Sequence, residues 1–450
     1  YTDDDGLIAP EQKTWSQWRG YARVAVTDGD PGEQTYSESL YFRGMHGDHL
    51  PGGTRSVSVT DSLGATVVDE DVFAGQVREQ RIFNGPGGAE VSATINDQWR
   101  SEPTATRTIN GVTVAARFVN TAGTHSRVTL DNGRGTRTAG TRNEFDAYGM
   151  VVRLDDLGDE AVAGDEQCTL TSYEPRNTTA WLMSLPHRSQ TFSVGCAQAT
   201  AGTVPETEVI GDGRTRYDNQ TWGLPPTVGD VTNVEQMSAY NAGSPTYVTV
   251  SRSAYDLHGR VIESWDVLGR RSATAYTPAT GGPVTRTVDT NPKGWTTTSV
   301  IEPAWGLATR STDANSLVTD VTYDGLGRMT AGWAPDRVKG TDTPTASFEY
   351  LVRTDGAVAV ATTSLNPAGD QVTSYALQDG LLRPRQTQTV SPSGGRLLTD
   401  LFYDSAGRSK LSFGTYYDAG TAGTTLVAAP DTTTIPSQTT RGRSGAGNAP

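Results

Sequence analysis

Hydrophobic residues in this chain fall in short runs that alternate with polar residues and stop at Gly, Asp or Asn. Two clear examples are residues 57–60, which end before Asp61, and residues 247–250. Alternation with a period of two, ended by turn-forming residues, is typical of β-strands. The strongest helical pattern covers residues 234–240, and it is short and uncapped. The pattern therefore predicts an all-β protein with very little helix.

A six-residue motif, aromatic-Asp-x-x-Gly-Arg, recurs in the second half of the chain. Its four clear copies are Tyr255, Asp256, Gly259 and Arg260; Trp265, Asp266, Gly269 and Arg270; Tyr323, Asp324, Gly327 and Arg328; and Tyr403, Asp404, Gly407 and Arg408. Less complete copies begin at Thr60, Phe145, Leu154, Gln378 and Arg443. Intervals of about one or two strand-plus-turn lengths, which Asp289 and Asp313 continue, indicate an internal repeat.

The chemistry of the motif predicts a hairpin corner. An Asp at the first position of a turn accepts backbone N–H bonds, and a Gly three residues later adopts the positive φ that closes the turn. The aromatic residue then ends one strand and the Arg begins the next. We therefore expect both to face each other beside their own turn and to stack, with the Arg also near the Asp. Successive corners predict a continuous, spiralling antiparallel sheet that grows hairpin by hairpin.

Composition and charge argue against several classes of function. The formal net charge is −14, and the 37 basic residues are scattered singly, which argues against a binder of nucleic acid or of anionic membranes. No window of about 18 apolar residues predicts a membrane helix. Because no signal peptide begins at Tyr1 and no closing element ends the chain, we expect it to be a segment of a longer protein.

The chain has only two cysteines, Cys168 and Cys196. Neither lies in a C-x-x-C motif and no histidine pair has zinc-finger spacing, so a metal site is not indicated. We expect a disulfide between neighbouring strands, because the composition resembles that of exported proteins. Two buried free thiols in a cytosolic protein are the alternative.

Several clusters of polar residues resemble sites in part, but none predicts catalysis, a cofactor or a metal. His46, Asp48 and His49 lack a further ligand in a Gly-rich loop. Residues 3–6 and 28–33 are acidic loops that do not satisfy the EF-hand pattern. The adjacent acids Asp155 and Asp156, and the acids of residues 69–71, point to alternate faces of a strand and do not form a glycosidase pair.

The sequence gives no clear signal for a hydrolase or for carbohydrate binding. The G-x-S-x-G elbow of a serine hydrolase does not occur. The nine Trp either pack against a sheet face or line a carbohydrate-binding face, and packing is the commoner use.

The Tyr-Asp-x-x-Gly-Arg motif resembles the YD repeat of Rhs proteins. That family includes bacterial polymorphic toxins, the B and C subunits of insecticidal toxin complexes, and animal teneurins. The strict copies span residues 253–410, and residues 12–21, 41–48 and 217–223 resemble the region that precedes the repeats in large actinobacterial members. The resemblance implies a β-ribbon wound into a hollow shell, which in bacterial members encloses a C-terminal toxin. The Asp-Pro-x-Gly-Leu type motif of the self-cleaving core region does not occur here.

These observations predict three regions: a pre-repeat and degenerate-repeat shell region (1–250), a YD-repeat shell region (251–420), and a Thr/Ala/Gly-rich stretch that leads into a further degenerate repeat (421–450). The expected function is that of a non-catalytic shell segment of a secreted or cell-surface bacterial protein. Its expected partners are the rest of the same polypeptide and an enclosed effector, with a delivery complex or a surface glycan as further partners. The alternatives are a teneurin-like adhesion or carbohydrate-binding module and, less favoured, a carbohydrate-active β-solenoid enzyme.

Overall fold

The computed structural model describes residue 12 and residues 18–50, 52–109, 111–201, 204–241, 243–429 and 435–441, without the side chains of residues 49 and 112. The chain divides into two compact units, one reaching Val250 and the other beginning at Ser251. Strands contain 53% of the described residues and helices 4%. The all-β prediction with little helix is therefore confirmed, against a norm of about 30–35% helix in globular proteins.

The first unit contains seventeen strands up to residue 241. Their bounds are β1 Arg23–Asp28, β2 Thr35–Tyr41, β3 His49–Leu50, β4 Gly53–Thr54, β5 Ser58–Thr60, β6 Thr66–Val68, β7 Val77–Phe83, β8 Glu90–Arg100, β9 Ala105–Ile109, β10 Val112–Ala116, β11 Val119–Thr129, β12 Thr136–Phe145, β13 Val151–Asp159, β14 Gln167–Tyr173, β15 Pro186–Phe192, β16 Val209–Tyr217 and β17 Val231–Asn241. The described helices are short: α1 Cys196–Thr200 and the 3-10 turns Asp71–Phe73, Asp131–Gly133 and Glu206–Glu208.

The strands that follow contain the strict repeats. Their bounds are β18 Ser244–Tyr255, β19 Val261–Trp265, β20 Arg271–Thr277, β21 Arg286–Thr290, β22 Thr296–Glu302, β23 Leu307–Thr312, β24 Val318–Tyr323, β25 Met329–Trp333, β26 Ala346–Leu351, β27 Val358–Leu365, β28 Gln371–Gln378, β29 Pro384–Val390, β30 Arg396–Tyr403, β31 Ser409–Asp418 and β32 Gln438–Thr440.

Antiparallel pairing between sequence neighbours builds one sheet of 26 strands. From β18 to β32 every strand pairs with the next one along the chain. In the first unit β2 pairs with β7 and β8 with β11, because the two-stranded hairpins β3–β4, β5–β6 and β9–β10 branch off between them. The expected hairpin-by-hairpin growth is thus the observed topology.

Two small clusters of buried apolar residues pack on this sheet. One cluster contains Cys168, Phe192, Cys196 and Val209, and another contains Leu398, Phe413, Tyr416 and Ile435. Along many strands, such as β22 and β24, residues on both alternating faces keep part of their surface exposed. A sheet covered on one side by a second layer would show a clear inside-outside alternation, so these strands behave as a single layer.

Cys168 and Cys196 are joined by a disulfide, with their Cα atoms 4.7 Å apart. Cys168 lies in β14, but Cys196 begins helix α1 rather than a second strand. The expectation of a strand-to-strand bridge is wrong in that detail. The bond fixes the short helix against β14, and both sulfurs lie inside the first apolar cluster.

The strongest helical pattern forms a strand, and one weak copy of the motif forms no corner. Residues 234–240, the best helical pattern, lie in β17, where Gln236 pairs with Gly213 of β16. The motif copy that begins at Leu154 lies within β13 and forms no turn. In both places pairing with a neighbouring strand supplies the backbone hydrogen bonds, and this non-local interaction overrides local propensity. None of the described helices is long and apolar enough to span a membrane.

Candidate functional site

The repeat corners are the most regular chemical feature of the chain. Neighbouring antiparallel strands run in opposite directions, so successive turns alternate between the two sides of the sheet where its strands end. The corners after β18, β24, β28 and β30 therefore lie on one of these two sides, and the Trp265 copy after β19 lies on the opposite side. Copies of the motif that begin with Tyr thus lie on one side, separated by an even number of strands.

Each corner is organised around its aspartate, as the Asp324 corner illustrates. One carboxylate oxygen accepts the backbone N–H groups of Leu326 at 2.9 Å and Arg328 at 3.0 Å. The other oxygen accepts Nε of Arg328 at 2.7 Å. Main-chain bonds from Gly327 N–H to the Asp324 carbonyl and from Asp324 N–H to the Arg328 carbonyl close the loop. The carboxylate therefore satisfies donors that the tight turn leaves without strand partners.

The other strict copies repeat these contacts. Asp256 accepts from Nε of Arg260 at 2.6 Å, Asp266 from Nε of Arg270 at 2.7 Å, and Asp404 from Nε of Arg408 at 2.8 Å. The incomplete copy at Asp379 does the same with Arg383 at 2.8 Å. The Asp-Arg pair is therefore part of the turn, and one carboxylate oxygen holds the Arg by a charge-assisted hydrogen bond.

The glycine of the motif has a conformational reason. Gly259, Gly269, Gly327 and Gly407 have φ values of 72°, 71°, 74° and 83°. The ladder shifts by one residue beside the corner, between Thr322 and Tyr323 for example. A three-residue hairpin loop that ends with a left-handed residue and a bulge has this geometry.

The arginines stack on tyrosines, but not on the tyrosine of their own motif. Arg260 lies 4.5 Å from the ring centroid of Tyr276, Arg328 lies 4.4 Å from Tyr350, and Arg383 lies 4.1 Å from Tyr403. Each ring belongs to the strand that follows the hairpin of the corner, and this strand ends on the same side of the sheet as the corner. The expectation that Arg and aromatic face each other within one motif is therefore wrong, because the pleat directs the Arg toward the next hairpin.

The same tyrosines hydrogen-bond back to the corner they cover. The Tyr350 hydroxyl donates to the carbonyl of Met329 at 2.9 Å, and that of Tyr403 donates to Pro384 at 2.9 Å. Tyr276 does the same with Val261 at 3.0 Å. Each acceptor directly follows the corner arginine. The stack and the hydrogen bond together hold these three corners to the next strand, and we call this arrangement the corner clamp.

Tyr276 and Tyr350 are the residues that sequence reasoning missed. Neither is followed by Asp, so neither belongs to a motif copy. The available signal was a tyrosine near the end of the second strand after the Asp256, Asp324 and Asp379 corners. Tyr403 has both roles, since it begins its own motif and covers Arg383.

Corners also occur where the sequence departs from the motif. Asn291 accepts the N–H groups of Lys293 and Trp295 through its side-chain oxygen, and Asn366 accepts those of Ala368 and Asp370. Asp313 makes the equivalent bonds to Asn315 and Leu317. Asp289, used above as a marker of the repeat spacing, lies in β21 instead, two residues before the true corner.

In the first unit, the aspartates of two corners pair with an arginine from another segment of the chain. Asp61 and Asp146 each make the two backbone bonds of the motif, but Ala65 and Met150 occupy the arginine position. Arg78, from β7, pairs with Asp61, and Arg176 pairs with Asp146. The copy that begins at Arg443 lies outside the described residues.

Hydrogen bonding in the corners shifts the acidity of their carboxyls. The backbone N–H of Arg328 lowers the pKa of Asp324 below its ordinary value; desolvation opposes this and the Arg328 guanidinium adds to it. The N–H and the guanidinium of Arg270 likewise lower the pKa of Asp266. A lowered pKa means that the folded corner favours the ionised carboxylate.

In the cluster of His46, Asp48 and His49, the two described side chains make structural contacts. Nδ1 of His46 accepts the N–H of Val57 at 3.4 Å, and buried Asp48 pairs with Arg19 at 3.2 Å. The side chain of His49 lies outside the described part of the chain, as do residues 3–6. The acidic loop 28–33 is the tip between β1 and β2. Across the described residues, His, Cys, Asp and Glu nowhere gather in a group of three that could hold a metal ion.

The acids weighed as a catalytic pair are bound to other groups. Asp155 accepts the N–H of Cys196 at 2.8 Å, and Asp156 accepts that of Gly158 at 3.1 Å. Fully buried Asp69 accepts three N–H groups, at Arg43, Gly44 and Met45. Glu70 and Asp71 form ion pairs with arginines. These contacts give each acid a structural role.

The tryptophans divide between stacked and exposed positions. Trp222 lies within 5.1 Å of the Arg214 guanidinium, Trp265 within 5.0 Å of that of Arg252, and Trp99 packs on Phe145. Trp181 and Trp295 remain 75% and 56% exposed. Trp15 lies outside the described residues.

Comparisons with known proteins give a likeness of fold. Neither a family model nor a curated protein matches the chain. Solved structures do: TcdB2-TccC3 (12% identity, TM-score 0.60), TcdB2-TccC3-Cdc42 (10%, 0.61) and a Photorhabdus luminescens Tc holotoxin pore with a TccC3 mutation (11%, 0.61). Each match covers 89% of this chain.

The chain spans less than a third of these neighbours, which it covers over 28%, 30% and 29% of their length. They are Rhs/YD-repeat toxin-complex proteins, so the resemblance seen in the motif is confirmed at the level of structure. The corners, the hairpin-by-hairpin sheet and these matches lead to one conclusion: the chain has the fold of the Rhs/YD-repeat proteins.

Proposed function

We propose that this chain is a non-catalytic wall segment of an exported YD-repeat protein, which encloses a C-terminal toxin or effector. The observation that supports the proposal is the corner clamp, in which the Asp-Arg pairs at Asp256, Asp324 and Asp379 each contact the tyrosine of the next strand. A wall needs continuity from strand to strand more than it needs a site, because its work is to exclude proteases and solvent from what lies behind it.

The single-layer character of the strands supports this role. A sheet whose two faces both remain partly exposed stabilises itself through its ladders and corners rather than through a thick core. The likeness to toxin-complex structures points the same way. We further propose three regions, 1–250, 251–420 and 421–450, with the rest of the same polypeptide and the enclosed effector as partners.

A surface-adhesion module is the second candidate, and exposed Trp181 and Trp295 favour it. Aromatic rings on a surface are common contacts for sugars and for partner proteins. This function would use the outer surface of the same fold. Glycan binding that is lost in a Trp181→Ala or Trp295→Ala variant would support it over the wall.

The test uses the longer protein that we propose contains this chain. Its C-terminal region is digested in the intact protein and, separately, as an isolated polypeptide, under the same protease. The proposal predicts strong protection in the intact protein. It also predicts faster digestion when Arg260, Arg328 and Arg383 are all replaced by Ala, with exposed Arg286→Ala as a control that leaves the corners intact. Equal digestion of the intact and isolated forms would contradict the wall.

A further inference from the structure

An extended stretch of the second unit, residues 421–429, lies against the sheet without joining its ladder. We call it the strap. Its contacts come mainly from Gln386 and Gln388 of β29, helped by Arg396 of β30 and by Arg353. These side chains all meet the main chain of the strap.

The two glutamines each offer the strap a donor and an acceptor. Gln388 accepts the N–H of Gly423 at 3.0 Å and donates to the carbonyl of Thr425 at 2.7 Å. Gln386 accepts the N–H of Val427 at 3.0 Å and donates to the carbonyl of the same residue at 2.9 Å. A primary amide used in this way imitates the edge of a β-strand, since it presents the same paired groups as a peptide unit.

The glutamines are also held by contacts to side chains other than the strap. Gln386 is 3% exposed and Gln388 0%, and Nε2 of Gln388 also donates to Oε1 of Gln386 at 2.9 Å. Nε2 of Gln386 further donates to buried Asp400 at 2.9 Å. Asp400 in turn accepts from Arg385 at 2.5 Å and from the Tyr416 hydroxyl at 2.6 Å. A connected, satisfied network of this kind is rigid.

Two arginines extend the same mode of contact. Arg396 donates to the carbonyl of Thr421 at 2.8 Å, and Arg353 donates to that of Thr424 at 2.6 Å. The strap adds small apolar contacts, since Val427 and Ala429 pack on the cluster around Leu398. The position therefore suits an extended chain of small or β-branched residues, whatever their order.

The main chain of the strap satisfies the buried amides. With the strap in place Gln386 and Gln388 are out of reach of solvent, and the strap supplies two N–H donors and two carbonyl acceptors to groups whose burial would otherwise be costly. Two apolar residues would cover β29 without that cost. Polar residues here are explained by a main chain that lies across them.

We propose that Gln386, Gln388, Arg353 and Arg396 form a binding site for an extended polypeptide, which they recognise through its main chain. The strap occupies the site in this structure, and a separate peptide of similar chemistry can replace it. The ligand class is an extended peptide with small or β-branched side chains and no Pro at the two positions that donate N–H.

The test uses the full chain with Val427→Pro, which removes the N–H that Gln386 accepts and weakens the strap. A fluorescent peptide with the sequence of residues 421–429 is added, and its anisotropy is measured. We expect saturable binding to this variant. Further replacement of Gln386 and Gln388 by Ala should weaken it about tenfold or more, the effect of losing two or more hydrogen bonds.

Control peptides separate main-chain recognition from sequence recognition. A scrambled peptide without Pro should bind within a few-fold of the original, and one with Pro at the Val427 position about tenfold more weakly. Binding that ignores the glutamine substitutions, or that the scramble abolishes, would overturn the proposal.

Hydrogen exchange on the otherwise unaltered chain gives a second readout that needs no opened strap. Gln388→Ala should speed exchange at the Gly423 amide and Gln386→Ala at the Val427 amide, each about tenfold. The matched control is Gln371→Ala, an exposed glutamine that donates to the Pro344 carbonyl. Unchanged exchange at both strap amides would contradict the assigned contacts.

Discussion

At the scale of single residues, the two carboxylate oxygens of the corner aspartate have different roles. One oxygen closes the turn by accepting N–H groups, and the other holds an arginine. The Asp and Gly positions could be predicted from the sequence, because their duties are local to six residues. Asn291 and Asn366 could not, since Asn performs the turn-closing job alone and breaks the written motif.

Replacing Asp379 separates the two roles. Asp379→Ala removes both, and we expect a loss of about 0.5–2 kcal/mol in the free energy of unfolding, by analogy with helix N-caps. Asp379→Asn keeps the turn-closing oxygen, so most of that stability should remain. Urea denaturation of both variants measures the difference. An Ala variant as stable as the original would show that the corner bonds are dispensable.

The lowered pKa of the corner aspartates sets a pH dependence. Their carboxyls are ionised in the folded state to a lower pH than the ordinary value of about 3.9 in the unfolded chain. The stability they contribute is therefore complete above about pH 4 and is lost as pH falls through the folded pKa. Denaturant midpoints between pH 7 and 2.5 should show this fall. Asn at Asp266 and Asp324 together should make it shallower, and an identical profile would contradict the assignment.

At the scale of the hairpin, the tyrosine of a later strand completes the corner. The sequence could not reveal which tyrosine, because the match of Arg328 to Tyr350 depends on strand register and on the length of the intervening loop. The motif tyrosine next to the Asp was the natural expectation from adjacency alone. The pleat of the sheet instead directs the arginine toward the tyrosine of the next strand.

A double-mutant cycle tests the clamp. Arg328→Ala and Tyr350→Ala, singly and together, should show a coupling of about 0.5–1 kcal/mol for a partly exposed cation-aromatic pair. Arg328 with Tyr403, which covers a different corner, is the matched control and should be additive. Additivity in the first pair would mean that the stack carries no energy.

The disulfide is also an element-scale feature, since it fixes α1 to β14. Denatured but unreduced protein should contain no thiol that reacts with a thiol reagent. Replacement of both cysteines by Ala should destabilise the first unit by about 2–5 kcal/mol. Two reactive thiols per chain, measured without reductant, would contradict the bond between Cys168 and Cys196.

At the scale of the whole molecule, the repeat motif predicted the fold better than it predicted any site. Short alternating runs and periodic corners are enough to imply a sheet that grows from neighbour to neighbour. The strap site could not be foreseen, because Gln386 and Gln388 resemble ordinary polar strand residues until the fold buries them under residues 421–429.

The most direct test of the wall is an electron cryo-microscopy map of the longer protein that we propose contains this chain. We expect the sheet described here to continue, strand to strand, into a wall with density of the C-terminal region behind it. A map in which this sheet stands apart, with the C-terminal region outside and open to solvent, would contradict it.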